Sequence, residues 1–238
     1  MRRSSIYGDG MLRVTLGAIG VLLVFHLLGQ YSVRIIGTDN IFVDELVWRF
    51  NVDLELNVPT WYASFLAGLA SLIAFFVVAQ NRVQNIPKAI VYTWMLIAAT
   101  LLFIAIDETA ALHELVLQTV HILADLGEGQ SYKGNAWLLL LPIVVGAMGI
   151  GLKAVYHNLP GPTFRNLVIA VAVYVFGALV VEYVSIPVGD DTHVYNFLLT
   201  PIEEGLEMLG VWLVLRAIIM HIRTEMPATD KKIRALWQ

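Results

Sequence analysis

Six stretches of this chain are apolar for about the length of a membrane crossing: Met11 to Ile36, Thr60 to Gln80, Lys88 to Ile106, Ala136 to Tyr156, Phe164 to Ile186 and Pro201 to Ile222. A helix needs roughly 20 such residues to cross a hydrocarbon core of about 30 Å. No other spanning structure but a closed barrel satisfies its own backbone there, and runs this long and this evenly apolar are helical. Composition agrees: 58% of residues are hydrophobic, 14% are charged and the mean hydropathy is +0.72, against about 25% charged in soluble domains. The expected fold is therefore all-α, a polytopic membrane protein built as a bundle of six transmembrane helices. Residues 1–238 form one domain, with outer loops at 37–59, 107–135 and 187–200.

Charge placement gives the orientation. Twelve of the fifteen Lys and Arg fall at the amino terminus, in the loops at 81–88 and 153–165, in Arg216, or in the tail, and only Arg34, Arg49 and Lys133 fall on the other side. That bias puts both termini in the cytoplasm, as expected of a multi-pass protein of a bacterial inner membrane. The first apolar run lacks a small-x-small cleavage site and is read as a retained anchor. Trp61 and Trp137 stand at outer entries, where interface aromatics belong. Without cysteine the chain has no disulfide, thiolate metal site or Cys nucleophile. There is no nucleic-acid-type basic patch, and the tail KKIRALWQ suits an inner-leaflet contact. The Gly146, Gly149 and Gly151 cluster suggests close helix packing. His26, inside the first span, reads as a hydrogen-bonding core residue rather than a haem ligand.

Acids gather at one end of this bundle. Asp107 lies about 28 Å along a helix from Lys88, and Glu182 about 27 Å from Phe164, so both reach the outer boundary. The sixth span starts there with TPIEEGLEMLG, in which Thr200 suits an N-cap, Pro201 the first helical position and Glu203 a capping box. Asp107, Glu108, Glu182, Glu203, Glu204 and Glu207 thus share a depth. If the third span continues outward, Asp107, Glu114 and His121, seven residues apart, form one stripe, whereas His113 points elsewhere. Carboxylates at a membrane edge must be protonated, paired or metal-bound. Oxygen-rich sites suit Ca²⁺, Mg²⁺ or Mn²⁺, and an imidazole extends the choice to Fe or Zn. The candidate ligands of a divalent metal ion are Asp107, Glu108, Glu114, His121, Glu182, Glu203, Glu204 and Glu207, with Asp53, Glu55 and Asn57 of NVDLELNVPTW on the same side. A salt-bridged or protonated network, and a capping role for Glu203, explain the same residues without an ion.

The motif order NVPTWYAS, AIDETAALHE, a Glu late in the fifth span and PIEEGLEMLG resembles a widespread set of bacterial six-span membrane proteins, over about Asp53 to Gly210. The DExxxLHE and EExLEMLG motifs carry that resemblance, which implies a fold and no activity. The acidic DLELN run before a span is distantly similar to the calcium-binding run of alkaline ceramidases. Those hydrolases hold zinc with three histidines, two of them spaced H-x-x-x-H, a pair absent here. The similarity therefore implies a bound cation more than hydrolysis.

The expected functions are three. One is a membrane protein with an outward-facing carboxylate and His metal site, structural or catalytic. Another is an accessory subunit of a larger membrane complex, partnered by the bilayer and by other membrane subunits. The third is a ceramidase-like lipid hydrolase. A transporter is disfavoured because the acids sit at one end rather than mid-membrane. No G-x-S-x-G supports a serine hydrolase.

Overall fold

The computed structural model describes residues 6–37, 39–123, 132–185, 194–227 and 229, without the side chains of residues 6–8, 132–138, Glu182 and Asn196. Among the described residues there is no strand, and six helices are long and apolar enough to cross a membrane. The first is α1 (Ile6–Ile36), followed by a short α2 (Ile41–Phe50) and the second crossing, α3 (Val58–Val83). Next come α4 (Lys88–Ala110), a short α5 (Leu112–Leu123) and α6 (Tyr132–Asn158). The fifth crossing is α7 (Gly161–Val175), prolonged by a π-helical turn at Phe176–Val181 and by α8 (Glu182–Ser185). A second π-helical turn at Tyr195–Leu199 leads into α9 (Thr200–Glu225). The chain therefore reverses between successive crossings, and Asp9 of α1 meets Arg223 of α9 at 2.9 Å, so the first and last crossings begin and end together.

Helix ends follow local chemistry. Asn57 caps α3, its Oδ1 accepting from the Thr60 N–H at 3.2 Å, with Pro59 in the first turn, where a missing N–H costs nothing. The α3 to α4 connection ends before Pro87, and α7 opens with Pro162 after Gly161. Thr200 departs from expectation. It is buried and in helical conformation, because the preceding π-helical turn already carries the helix, and no side chain caps α9 there. The expected capping box around Glu203 is therefore not formed.

Small residues set the packing. Ala63, Ala67, Ala70 and Ala74 of α3 are buried with Ala98 and Ala105 of α4. Two serines tie the pair, Ser71 Oγ donating to the Ala98 carbonyl at 2.8 Å and Ser64 Oγ to that of Ala105 at 2.6 Å. Such hydroxyl bonds satisfy themselves on a neighbouring helix, where lipid offers no alternative partner. Tyr62 reaches α1 at the Thr15 carbonyl (2.5 Å), and Trp212 of α9 reaches that of Leu12 (2.9 Å). Thus α9 is the hub, lying against α1, α3 and α7.

By contrast α6 is a rim helix. Its apolar window is 6% buried, against 50% for those of α3 and α9. A methyl group added at Gly146, Gly149 or Gly151 meets nothing within 4 Å. Among the described residues, these glycines do not pack helices together within this chain, contrary to expectation. His26 behaves as expected: it is 1% exposed and its Nδ1 accepts from the Val52 N–H at 3.2 Å.

Candidate functional site

The segment Asn51 to Asn57 between α2 and α3 is held like a bracket. Asn51 Oδ1 accepts from the Asp53 N–H (3.2 Å), Asn57 Nδ2 donates to the Asn51 carbonyl (2.6 Å), and Thr60 Oγ1 donates to that of Leu54 (3.0 Å). With Val52 pinned to His26, the backbone holds Asp53 and Glu55 at the same end of the bundle as the end of α4. Burial raises the Glu55 carboxyl above its ordinary value, Glu114 and Asp107 push it further up, and His113 opposes them.

At Ala111 the chain turns into the left-handed region (φ 47°), and its N–H closes on the Asp107 carbonyl at 2.8 Å. The fourth and fifth helices are therefore separate, and the stripe of Asp107, Glu114 and His121 expected of one continuous helix does not exist. On such a helix His113 would lie about 120° from Asp107. After the turn it folds back: its N–H donates to Asp107 Oδ1 at 2.8 Å and its ring Nδ1 pairs with Oδ2 at 2.9 Å. Asp107 thus caps α5 and fixes an imidazole with one carboxylate. The histidine held by Asp107 is His113, and His121 lies eight residues further along α5, about 12 Å away along its axis. Nothing local signals the break, since Ala110 and Ala111 are helix formers.

On α9, close approach substitutes for side chains. A methyl group at Gly177 would sit 2.8 Å from the Glu203 carbonyl oxygen, and one at Gly210 would sit 2.5 Å from Tyr174 Cβ. Only glycine lets α7 and its π-helical turn lie against α9 this tightly. Tyr174, against Gly210, has Glu207 as its nearest acidic neighbour. On the other flank the Tyr195 hydroxyl donates to Asp53 Oδ1 at 2.8 Å, and burial and that carboxylate raise its pKa, keeping it a phenol. Neither tyrosine stood out in the sequence, where each is one aromatic in an apolar run.

The cluster therefore draws on the Asn51 to Asn57 bracket, α4, α5 and α9. Glu207, Glu108, Glu203 and Asp53 are the acidic neighbours of Glu204. The charged groups acting on Glu108 are Asp107, His113 and Glu55, of which only His113 can be positive. Of the sequence candidates, Asp107, Glu108, Glu114, Glu203, Glu204 and Glu207 belong to this electrostatic group. The Glu182 side chain lies outside the described residues. Arg49, one of the expected neutralising cations, pairs with Glu45 at 2.8 Å instead. Among the described residues no three His, Asp or Glu side chains stand at metal-ligand spacing. The arrangement can concentrate cations or protons, and it presents an imidazole oriented by a carboxylate, as metal ligands and general bases both require.

No protein of curated function and no solved structure matches the chain. A family profile does, over residues 15–222, from within the first crossing to the end of the last. The chain belongs to the family defined by the domain of unknown function DUF8692.

Proposed function

We propose that this is an inner-membrane protein of bacteria whose outward-facing carboxylate cluster binds a divalent cation, with His113 as its imidazole. The observation that supports the reading is geometric: Asp107 holds the His113 ring at 2.9 Å at the end of the bundle where Asp53, held by Tyr195, and the acids that open α9 also lie. Carboxylates gathered at a membrane edge are stable only when protons, cationic partners or a bound ion offset their repulsion. The donor set is mostly oxygen, which suits Ca²⁺, Mg²⁺ or Mn²⁺, and His113 brings Fe or Zn within range. The ion then serves as a staple between the bracket, α4 and α9, or as a Lewis acid at the membrane surface with His113 as base.

Elemental analysis of detergent-purified protein tests this, wild type beside Glu204→Gln, Glu207→Gln. Stoichiometric metal in the wild type that disappears in the variant supports the site. Metal-free wild type, with no thermal shift on adding Ca²⁺, Mg²⁺, Mn²⁺, Fe²⁺ or Zn²⁺, overturns it.

A second reading, an accessory subunit of a membrane complex, is favoured by α6, whose glycines face open space on a helix that is 6% buried. Small residues of this kind let another transmembrane helix approach closely. Co-purification of a larger assembly in mild detergent, lost when Gly146 and Gly149 become Leu, tests it.

A further inference from the structure

Beside the acid cluster, at the same end of the bundle, α2 has the character of a helix lying along the membrane surface. Only Val43 is buried, while Ile41, Phe42 and Trp48 are exposed and Asp44, Glu45 and Arg49 share the helix with them. A short helix mixing exposed bulky apolar groups with charges belongs at the headgroup boundary. Its carboxyl end and the start of α3 line a shallow, open cavity of about 210 Å³, bounded by Trp48, Arg49, Leu56, Asn57, Val58 and Trp61. The floor is rigid: buried Asn57 caps α3 with Oδ1 and reaches back with Nδ2 to the Asn51 carbonyl. The walls carry one cation, with the Arg49 guanidinium carbon 6.0 Å from the Trp48 ring centroid.

The cavity is smaller than the roughly 300 Å³ at which pockets for whole small molecules begin. It continues onto an apolar track. Trp61 stacks on Phe65 (ring centroids 5.7 Å apart), and Leu72 lies further along the same face of α3, all three exposed toward lipid. We infer that this cavity seats the headgroup of one phospholipid, its phosphate on Arg49 and an acyl chain along Trp61, Phe65 and Leu72. A guanidinium offers paired N–H donors that fit phosphate oxygens. The exposed indoles fill the headgroup layer beside it. Glu45 holds one edge of the guanidinium at 2.8 Å, which tempers affinity and leaves its other N–H donors available. The cavity shares Leu56 and Asn57 with the bracket but none of the carboxylates proposed to hold the ion, so Arg49 and Glu45 variants test lipid binding separately from metal content.

Native mass spectrometry of the full chain released from detergent tests this with three probes: phosphatidylglycerol, diacylglycerol with the same chains, and inorganic phosphate as competitor. One phosphatidylglycerol is expected to bind, about tenfold more weakly in Arg49→Gln, and diacylglycerol is expected to bind far less well. Glu45→Gln, which releases the guanidinium from its carboxylate, is expected to bind more tightly. Equal binding of diacylglycerol, equal binding by Arg49→Gln, or displacement by excess inorganic phosphate overturns the assignment. Should Arg49→Gln fail to fold, unchanged or weaker binding by Glu45→Gln overturns it instead.

Discussion

Asp107 carries two jobs with one carboxylate, capping α5 through the His113 N–H and holding the His113 ring. The jobs separate by mutation. Asp107→Ala removes both and is expected to cost about 1 kcal/mol, the usual worth of a cap, as a lower thermal midpoint. Asp107→Asn keeps an acceptor for the backbone and should lose less than half of that. If the pair also serves a bound ion, metal content falls in both variants, which separates function from fold. Glu55 gives a pH signature. Its carboxyl is raised above 4.5, so the folded state holds its proton more tightly than the unfolded chain does. Ionisation therefore penalises the fold, fully above the raised value and progressively less as pH falls through it toward 4.5. Thermal midpoints should rise as pH falls through that window, with a shallower slope in Glu55→Gln. A saturating divalent cation should flatten the slope as well, since it would take the proton's place.

At the scale of elements, Gly177 and Gly210 let α7 and α9 approach closely, whereas α6 stands at the rim. Gly210→Ala places a carbon 2.5 Å from Tyr174 Cβ and 2.7 Å from its backbone, so the helices must part. A loss of about 3 kcal/mol is expected, measured as thermal or denaturant stability in detergent. Gly146→Ala, in open space inside α6, should leave stability unchanged or raise it by up to about 1 kcal/mol, the helix-propensity gain. The crossings themselves were legible in the sequence because hydropathy is summed over many residues: α4 starts at Lys88 as expected, and α3 runs only a few residues beyond Thr60 and Gln80. The shorter elements were not. All of α2 lies in what read as an outer loop, because a ten-residue helix has no long apolar run to betray it. The break at Ala111 depends on Asp107 reaching a backbone N–H six residues ahead, a contact that no local propensity encodes.

For the whole molecule, the six crossings and the Asp9 to Arg223 pair place the α3 to α4 connection and the Asn51 to Asn57 bracket at opposite ends. The chain has no cysteine, so single introduced thiols report topology without background. In oriented membrane vesicles, Asn85→Cys and Leu54→Cys should react with an impermeant maleimide from opposite faces. The candidate site was only half legible at this scale. That Asp107, Glu108, Glu204 and Glu207 share a depth comes from helix lengths alone. Which of them face one another depends on helix rotation, which for α9 is constrained by the close fit at Gly177 and Gly210, a fit that a hydropathy profile cannot express. The π-helical turn at Phe176–Val181 bears on how this chain tolerates changes in length. Such a turn holds one residue more than an α turn, so a single deletion inside it restores ordinary helix and keeps the downstream residues in phase. The same deletion in α4 would rotate Asp107 and Glu108 by about 100° relative to everything before them. Indels at the end of the fifth crossing are thereby absorbed where they arise, and the spatial register of the carboxylates is buffered against them.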